Sequence, residues 1–307
     1  MNKKKINLFW TGGWDSTFQL CRLSLKNVIV HPIYIVMDRK YRTGEKYEVL
    51  SQDKILDILK KRDTTKATIL PVLRIHRENI KIPSHIMDAY QYYFNQGDGL
   101  GRQYLILGSY AYRHKGCYIQ IEGYENNDEQ SRTIRLIKSG NYQIDNDNVG
   151  FLLKKGTDPK LYALFGNMYF STSSMTEGDI VKWVDENNFW DVMKHTWTCY
   201  MPIDGKPCGF CQPCRTKLKQ HLDFLIPDEA RKRGFVYNYL NAKYEYSDTR
   251  LDIIFALWIR STMNRFYKLN VIEDFLVKKY ETYFKSLLEN PVEFRIMNDR
   301  GQRDGLV

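Results

Sequence analysis

No part of the sequence is hydrophobic enough to cross a membrane. Its apolar runs all fall well short of the ~20 residues that a membrane-spanning helix needs. The N-terminal segment, Met1 to Trp10, is basic and then becomes a short strand-like run. It lacks the apolar stretch and the small-residue cleavage site of a signal peptide. We therefore expect a cytoplasmic protein.

Cysteine is also scarce, with six in 307 residues. A disulfide framework is not expected in a reducing compartment. Four of the cysteines nevertheless lie close together, which is typical of a metal site. The other two, Cys21 and Cys117, lie in apolar helix and strand patterns, and we interpret them as ordinary buried residues.

Charge of one sign is not concentrated in blocks. The chain has 46 Lys and Arg against 36 Asp and Glu, a net charge of +10, spread along its length. With 43% hydrophobic and 14% aromatic residues, the composition excludes a disordered chain. The basic balance fits either a solvated surface around an anion-binding cleft or a nucleic-acid surface, and it does not choose between them.

Strand-like and helical segments alternate through the N-terminal part of the chain. Short β-branched apolar runs predict buried strands at 6–10, 28–37, 67–75 and 117–121. Apolar residues at helical spacing predict helices at 15–25, 47–60, 85–94 and 101–114. This order predicts an α/β fold, an open and mostly parallel sheet with helices on both faces. The polar segment 123–148 is predicted to be a loop or hairpin insertion, and a further helix is expected from Thr176.

The clearest catalytic signal is the segment Trp10–Thr17, Trp-Thr-Gly-Gly-Trp-Asp-Ser-Thr, between a predicted strand and a predicted helix. Paired glycines let the backbone approach phosphate oxygens closely. The N-terminus of the following helix turns N–H groups and a positive dipole end toward them. The hydroxyls of Thr11, Ser16 and Thr17 can donate to the same oxygens. A plain turn in which Asp15 only caps the helix is the alternative.

The clustered cysteines are Cys199, Cys208, Cys211 and Cys214, with the spacing C-x8-C-x2-C-x2-C. Four thiolates at such spacing complete a tetrahedral zinc site with no open position for chemistry. An iron–sulfur cluster is the competing interpretation. His195 lies four residues before Cys199, and we expect it to pack nearby rather than to bind the metal.

The phosphate loop is not a Walker A loop, because no Gly-Lys-Ser/Thr follows it. It resembles the Ser-Gly-Gly-x-Asp-Ser signature of the PP-loop ATP pyrophosphatases, with Thr11 in place of the first serine. The resemblance implies a PP-loop (HUP-like) fold in which the loop grips pyrophosphate and ATP is cleaved between its α and β phosphates. Asp15 would then lie near Mg²⁺ or anchor the loop.

The two motifs together, in this order, resemble the QueC family of 7-cyano-7-deazaguanine synthases. The resemblance rests on 176–182, on 195–200, on 207–215 with its cysteine spacing, and on Gly101-Arg102-Gln103. It covers about residues 5–220. It implies one ATP-binding domain, 1–220, with a zinc knuckle at 195–217, and it leaves 221–307 as a helical C-terminal extension.

The family's chemistry is ATP-dependent carbon–nitrogen ligation. The carboxylate of 7-carboxy-7-deazaguanine is adenylated with release of pyrophosphate, and ammonia then gives the amide and, with a second ATP, the nitrile. Carried over by position, the phosphate ligands are Thr11, Gly12, Gly13, Asp15, Ser16 and Thr17. The residues near adenosine are Val36, Met37 and Asp38. Arg102 would contact substrate or phosphate, and Lys182 would reach the phosphates, with ordinary surface cations as the alternative for both. The implied cofactors are ATP, Mg²⁺ and Zn²⁺, and a homodimer is expected by resemblance.

Three departures bear on the substrate. Glu177 stands where the family usually has lysine, and the segment 122–128 replaces the family's deazapurine-recognition segment. Asp38-Arg39-Lys40-Tyr41 replaces Asp-Tyr-Gly-Gln. Three other functions therefore stay open: a QueC-like anti-phage defence enzyme that transfers the activated deazapurine to a protein or nucleic acid, a tRNA-thiolating enzyme, and a non-catalytic binding module.

Overall fold

The computed structural model describes residues 3–37, 43–96, 100–120, 132–144, 150–171, 175–203, 205–231 and 234. Two compact units are present, Met1–Thr198 and Cys199–Val307. Asp38 and most of the predicted C-terminal helices lie outside the described residues. The predicted domain boundary at residue 220 stays a prediction.

A single sheet organises the first unit. Its strands are β1 (Lys5–Phe9), β2 (Ile29–Val36), β3 (Thr68–Ile69), β4 (Leu73–His76), β5 (Cys117–Gln120), β6 (Tyr142–Ile144), β7 (Gly150–Leu153) and β8 (Met168–Ser171). Their order is β3-β2-β1-β5-β8-β7-β6, and β4 also pairs with β2. The pairs among β1 to β5 and between β5 and β8 are parallel, whereas β6 and β7 form an antiparallel edge. The fold is thus mixed α/β with a parallel sheet and an antiparallel edge.

The helices of the first unit are α1 (Trp14–Ser24), α2 (Glu45–Lys61), α3 (Ser84–Asn95), α4 (Arg102–Arg113), α5 (Arg132–Lys138), α6 (Pro159–Phe165), α7 (Glu177–Glu186) and α8 (Trp190–Met193). Within the part of the chain that the structure describes, no helix has both the length and the apolar character that crossing a membrane requires. The second unit contains α9 (Gln212–Lys219) and a short 3-10 helix, Asp223–Leu225.

Both faces of the central strands β1 and β2 are largely buried. Phe9 and Ile33 belong to one apolar cluster with residues of α3, α4, α5 and α6. Leu8 and Val30 are fully buried, and side chains alternate along a strand, so these two face the opposite side. Helix α1 contacts β2 and β5, and it packs with α8. Strands β1 and β2 are mostly apolar because little water reaches either face, whereas β3 and β4 are exposed or half-buried.

Two predicted segments differ in the structure. The predicted strand 67–75 is divided into β3 and β4, with Pro71 between them; proline cannot donate a ladder hydrogen bond, so it interrupts the strand. In the segment predicted as a loop or hairpin, α5 and β6 form, and β6 pairs with β7 as one arm of a hairpin.

Candidate functional site

The phosphate loop lies at a switch point of the sheet, where the strands that follow in the chain are placed on opposite sides of β1. It connects β1 to α1, and β1 has β2 on one side and β5 on the other. In open α/β sheets, ligands bind at the carboxyl ends of the strands at such a switch point. Helices α1 and α7 follow the parallel strands β1 and β8, so they start from this carboxyl edge. Only three residues separate helix α4 from β5, so its C-terminus lies near the opposite edge and its N-terminus points back toward the loop.

Glycine is required at position 12. Gly12 has φ +79°, and a Cβ atom there would lie 3.2 Å from both the Glu48 carbonyl oxygen and Cγ of Gln52. Gly13 is the N-cap of α1 and has no side chain with which to cap it. By contrast, α7 is capped by its own Thr176. A helix N-terminus that follows a glycine-rich loop is suited to an anion.

Two of the three predicted hydroxyl groups lie together in the loop. Thr11 Oγ1 is 3.5 Å from Ser16 Oγ, and the Gly13 N–H donates to Thr11 Oγ1 at 3.3 Å. Both side chains are half-buried. Thr17 points elsewhere: it is fully buried, and its hydroxyl accepts a hydrogen bond from the Trp10 indole at 3.0 Å.

Helix α2 binds the back of the loop, which the sequence did not suggest. The Ser51 hydroxyl lies 3.2 Å from the Gly12 carbonyl oxygen, and the Gln52 amide donates to the Trp10 carbonyl at 3.4 Å. Leu50 is one of the apolar residues of this helix, yet its side chain is 55% exposed. The buried face begins with Glu48, Ser51 and Gln52 and continues with Ile55, Leu56 and Leu59. The sequence signal for this inward face was the helical spacing that the three polar residues share with the three apolar ones.

The segment before the cysteine cluster also reaches the loop. The Trp197 N–H donates to the Gly12 carbonyl at 2.9 Å. The Ser51 hydroxyl contacts the His195 carbonyl oxygen at 2.6 Å. The Trp197 ring stacks on Tyr47 with ring centroids 4.8 Å apart. Burial lowers the pKa of His195, and Lys194 and Lys54 lower it further. The contact that His195 makes with Ser51 uses its backbone carbonyl group and not its imidazole.

Glu177 is placed beside the phosphate loop. It is the first residue of α7, and its Oε2 accepts a hydrogen bond from the Trp14 indole at 2.9 Å, across 163 residues of sequence. Trp14 is the first residue of α1 and is almost fully buried. A carboxylate is therefore fixed against the first turn of the helix that follows the loop.

The remaining predicted site residues differ in exposure. Asp15 is half-buried in the first turn of α1. Val36 ends β2 and is buried, and Met37 is half-buried just beyond it. Arg102 is exposed at the start of α4. Lys182 is 74% exposed and lies 3.9 Å from Glu186, one turn further along α7.

The second unit brings the four predicted metal ligands together. Cys199, Cys208, Cys211 and Cys214 are all buried, and their Sγ atoms lie within 4.8 Å of one another. The Cys211 sulfur is 3.8 Å from that of Cys199 and 3.5 Å from that of Cys214. Sulfur atoms around tetrahedral Zn²⁺, at Zn–S of ~2.3 Å, are ~3.8 Å apart. The four residues therefore fit a zinc ion.

Backbone geometry supports the same group. The Cys208 N–H donates to the Cys199 sulfur at 3.1 Å, and the Cys211 N–H donates to the Cys208 sulfur at 3.2 Å. Such bonds favour the thiolate form that a metal binds. Hydrogen bonds within the cluster lower the pKa of the Cys211 thiol and raise that of Cys199. Burial raises the pKa of Cys21, so this thiol stays protonated at neutral pH.

Comparison with known proteins gives a family match that covers less than half of the chain. Residues 171–224 match the family described as Queuosine biosynthesis protein QueC. The matched segment contains α7, the His195–Trp197 segment and the four clustered cysteines. It supports a QueC-like character for this part of the chain. No curated protein matches the sequence.

Proposed function

We propose that this chain is an ATP-dependent ligase of the PP-loop class that adenylates the carboxylate of a 7-deazapurine and releases pyrophosphate. One observation carries the proposal. A Thr-Gly-Gly-Trp-Asp-Ser loop occupies the switch point of an α/β sheet, in the same chain as a segment that matches QueC. Either feature alone is compatible with several families.

The loop would hold the phosphates through backbone and hydroxyl groups. The N-terminus of α1, which begins directly after Gly13, would direct N–H groups and a positive dipole end toward the phosphates. Thr11 and Ser16, whose hydroxyls lie together and half-buried, would donate to phosphate oxygens. Thr17 would act from behind by fixing Trp10, because its hydroxyl is already bonded there.

The adenosine and metal would use neighbouring residues. Val36 is the last residue of β2, the strand next to β1, and Met37 follows it, which suits an adenine ring beside the loop. Asp15 supplies a carboxylate in the first turn of α1, and Mg²⁺ prefers carboxylate and phosphate oxygens. When bound, Mg²⁺ would offset the charge of the departing pyrophosphate. Asp38 belongs to the same proposal but lies outside the described residues.

The proposed reaction needs two activations if it reaches the nitrile. A carboxylate oxygen forms a bond to the α-phosphorus, and the bond from that phosphorus to the bridging oxygen breaks as pyrophosphate leaves. Ammonia attacks the acyl carbon, AMP leaves with the carbon–oxygen electron pair, and a proton is lost. The amide oxygen then forms a bond to the α-phosphorus of a second ATP as a second pyrophosphate leaves. Loss of AMP, with its carbon–oxygen electron pair, and of two protons leaves the nitrile.

Two cations are proposed to contact the substrate, and geometry favours one. Arg102 stands at the N-terminus of α4, at the carboxyl edge where the loop lies. Lys182 lies beyond the first turn of α7 on its solvent side. Arg102 is thus the better candidate for neutralising a substrate carboxylate or phosphate, and Lys182 has the surroundings of a surface lysine.

The test is a product assay. Purified protein is incubated with ATP, Mg²⁺ and 7-carboxy-7-deazaguanine, with and without ammonia, and AMP, pyrophosphate and product mass are followed. Substrate-dependent AMP with an amide or nitrile mass supports the proposal. Asp15→Asn should lose this activity, whereas the matched control Asp57→Asn, an exposed carboxylate on α2, should retain it.

Two other outcomes are distinguishable. AMP formation together with a mass increase on an added protein or nucleic acid would favour the conjugating relative. No substrate-dependent AMP from folded, zinc-loaded protein would reject the deazapurine and leave an ATP-binding fold with another substrate.

A further inference from the structure

The peptide between Gly12 and Gly13 is held by its carbonyl group. Both flanking residues are glycine, and Gly12 has φ +79°. Glycine populates positive and negative φ with similar ease, so this peptide plane has little intrinsic preference for one orientation. The Gly12 carbonyl accepts from the Trp197 N–H at 2.9 Å and lies 3.2 Å from the Ser51 hydroxyl. Two groups outside the loop therefore determine its orientation.

The orientation of the carbonyl fixes that of the next N–H group. In a trans peptide, the C=O and the following N–H point to opposite sides, and the structure has no cis peptide among the residues described. With the Gly12 carbonyl turned toward Ser51 and Trp197, the Gly13 N–H points the other way. On that side the Gly13 N–H donates to Thr11 Oγ1 at 3.3 Å, next to the Ser16 hydroxyl.

Ser51 joins two segments with one hydroxyl proton. Its oxygen is 2.6 Å from the His195 carbonyl oxygen and 3.2 Å from that of Gly12. The shorter contact, to the His195 carbonyl oxygen, is the stronger hydrogen bond. Ser51 thus mainly fixes His195, and two residues later the chain delivers the Trp197 N–H to Gly12. Ser51 is 7% exposed, so water does not replace this bond freely.

We propose that Ser51 and the 195–197 segment form a backbone clamp. The clamp keeps the Gly13 N–H directed toward the Thr11 and Ser16 hydroxyls, where the phosphates would bind. Ser51 is a positioning residue in this scheme, because it acts through the Gly12–Gly13 peptide and contacts no phosphate. This inference rests on the proposed function, since it assumes that the loop binds phosphates. It also gives a role to residues 195–197 of the QueC-matched segment: they hold the Gly12 carbonyl group in place.

The clamp is tested by the binding of two probes to the full chain. Calorimetry measures the affinity for pyrophosphate with Mg²⁺ and, separately, for adenosine. Ser51→Ala should weaken pyrophosphate binding by about two- to tenfold, the effect of one neutral hydrogen bond, and leave adenosine binding unchanged. Ser51→Thr retains the hydroxyl and should restore pyrophosphate binding.

Ser109→Ala is the matched control. Ser109 is a fully buried helical serine whose hydroxyl donates to the Leu105 carbonyl at 2.7 Å on α4. It should leave pyrophosphate affinity at the wild-type value. If Ser51→Ala also binds pyrophosphate as wild type does, the clamp is excluded. Equal weakening of both probes with a lower Tm would overturn it too, because the serine would then be merely structural.

The two proposals fail in different ways. If the folded wild-type chain binds neither pyrophosphate nor ATP, the proposed function itself is wrong. If the wild-type chain binds pyrophosphate and Ser51→Ala does so equally well, only the clamp is wrong.

Discussion

Gly209 occupies a position in the cysteine cluster that leaves no space for a side chain. Its φ is +87°, and a Cβ atom there would lie 1.7 Å from the Ala230 carbonyl oxygen. The obstructing atom belongs to the backbone of Ala230, so no side-chain rotation can move it away. The turn between Cys208 and Cys211 therefore depends on glycine for both conformation and packing.

We expect Gly209→Ala to lose bound metal and to lower Tm sharply. The control is Gly156→Ala, where φ is also positive at +94° but nothing lies within 4 Å of the added atom. That variant should cost only the strain of a left-handed alanine, about 1–2 kcal/mol, and should keep its zinc. Zinc content by mass spectrometry and thermal unfolding check both. Full zinc occupancy in Gly209→Ala would contradict the packing argument.

Glu177 brings negative charge close to a loop proposed to bind phosphates. Glu177→Gln keeps an oxygen that can accept from the Trp14 indole and removes the charge. We expect pyrophosphate to bind up to about fivefold more tightly at low salt, the range of exposed charge pairs, with the difference shrinking as salt is added. Calorimetry at two salt concentrations measures this. Weaker binding would instead indicate that the carboxylate assists the site, for example through Mg²⁺.

At the scale of elements, helix α7 has a reciprocal cap. The Asp179 N–H donates to the Thr176 hydroxyl at 3.1 Å, and Asp179 Oδ2 accepts from the Thr176 N–H at 2.8 Å. The Asp179 carboxylate accepts from the Thr176 N–H and also from the Thr176 hydroxyl, and these two bonds lower the pKa of Asp179. The cap orients the start of the helix that carries Glu177.

Thr176→Ala should destabilise the protein by about 1 kcal/mol, the usual cost of losing a cap, and chemical denaturation measures this loss.

The stability lost in Asp179→Asn should depend on pH. Because the folded-state pKa is lowered, the contribution of the carboxylate is fully present above the unfolded value, ~3.9. It is lost as the pH falls through the folded-state pKa. The difference in Tm between wild type and Asp179→Asn should therefore be constant near neutral pH and shrink below pH ~4. A difference that grows on acidification would contradict this assignment.

Helix α2 illustrates which elements a sequence pattern predicts well. Its existence followed from apolar spacing, and the predicted range 47–60 lies within the observed Glu45–Lys61. Its orientation did not follow, because Ser51 and Gln52 are polar and yet face inward. Their burial is stabilised by loop carbonyls that are distant in sequence. Apolar periodicity alone could not show this.

At the scale of the whole molecule, the cysteine cluster is expected to tie stability to metal. Structural zinc contributes folding free energy directly. Stripping zinc with a chelator should therefore lower Tm, and re-addition of Zn²⁺ should restore it. Cys208→Ser should bind less zinc. Cys21→Ser, which alters a buried thiol of the other unit, should lose stability but keep its zinc. An unchanged Tm after complete zinc removal would reject a structural role for the metal.

The assembly state stays a prediction at this scale. A homodimer is expected by resemblance, and sedimentation of the full chain measures it directly. The positive net charge of +10 keeps a nucleic-acid acceptor among the outcomes of the product assay.

The sequence by itself determined the features that depend on neighbouring residues. The Trp10–Thr17 loop, the cysteine spacing and the strand–helix alternation are local signals, and turns, helix starts and metal ligands form within short stretches of chain. Only the tertiary structure decided that Thr17 faces the core, that Glu177 meets Trp14, and that Ser51 and Trp197 bind Gly12. These contacts join residues far apart in sequence. They depend on how helices pack on the sheet, which no local pattern encodes.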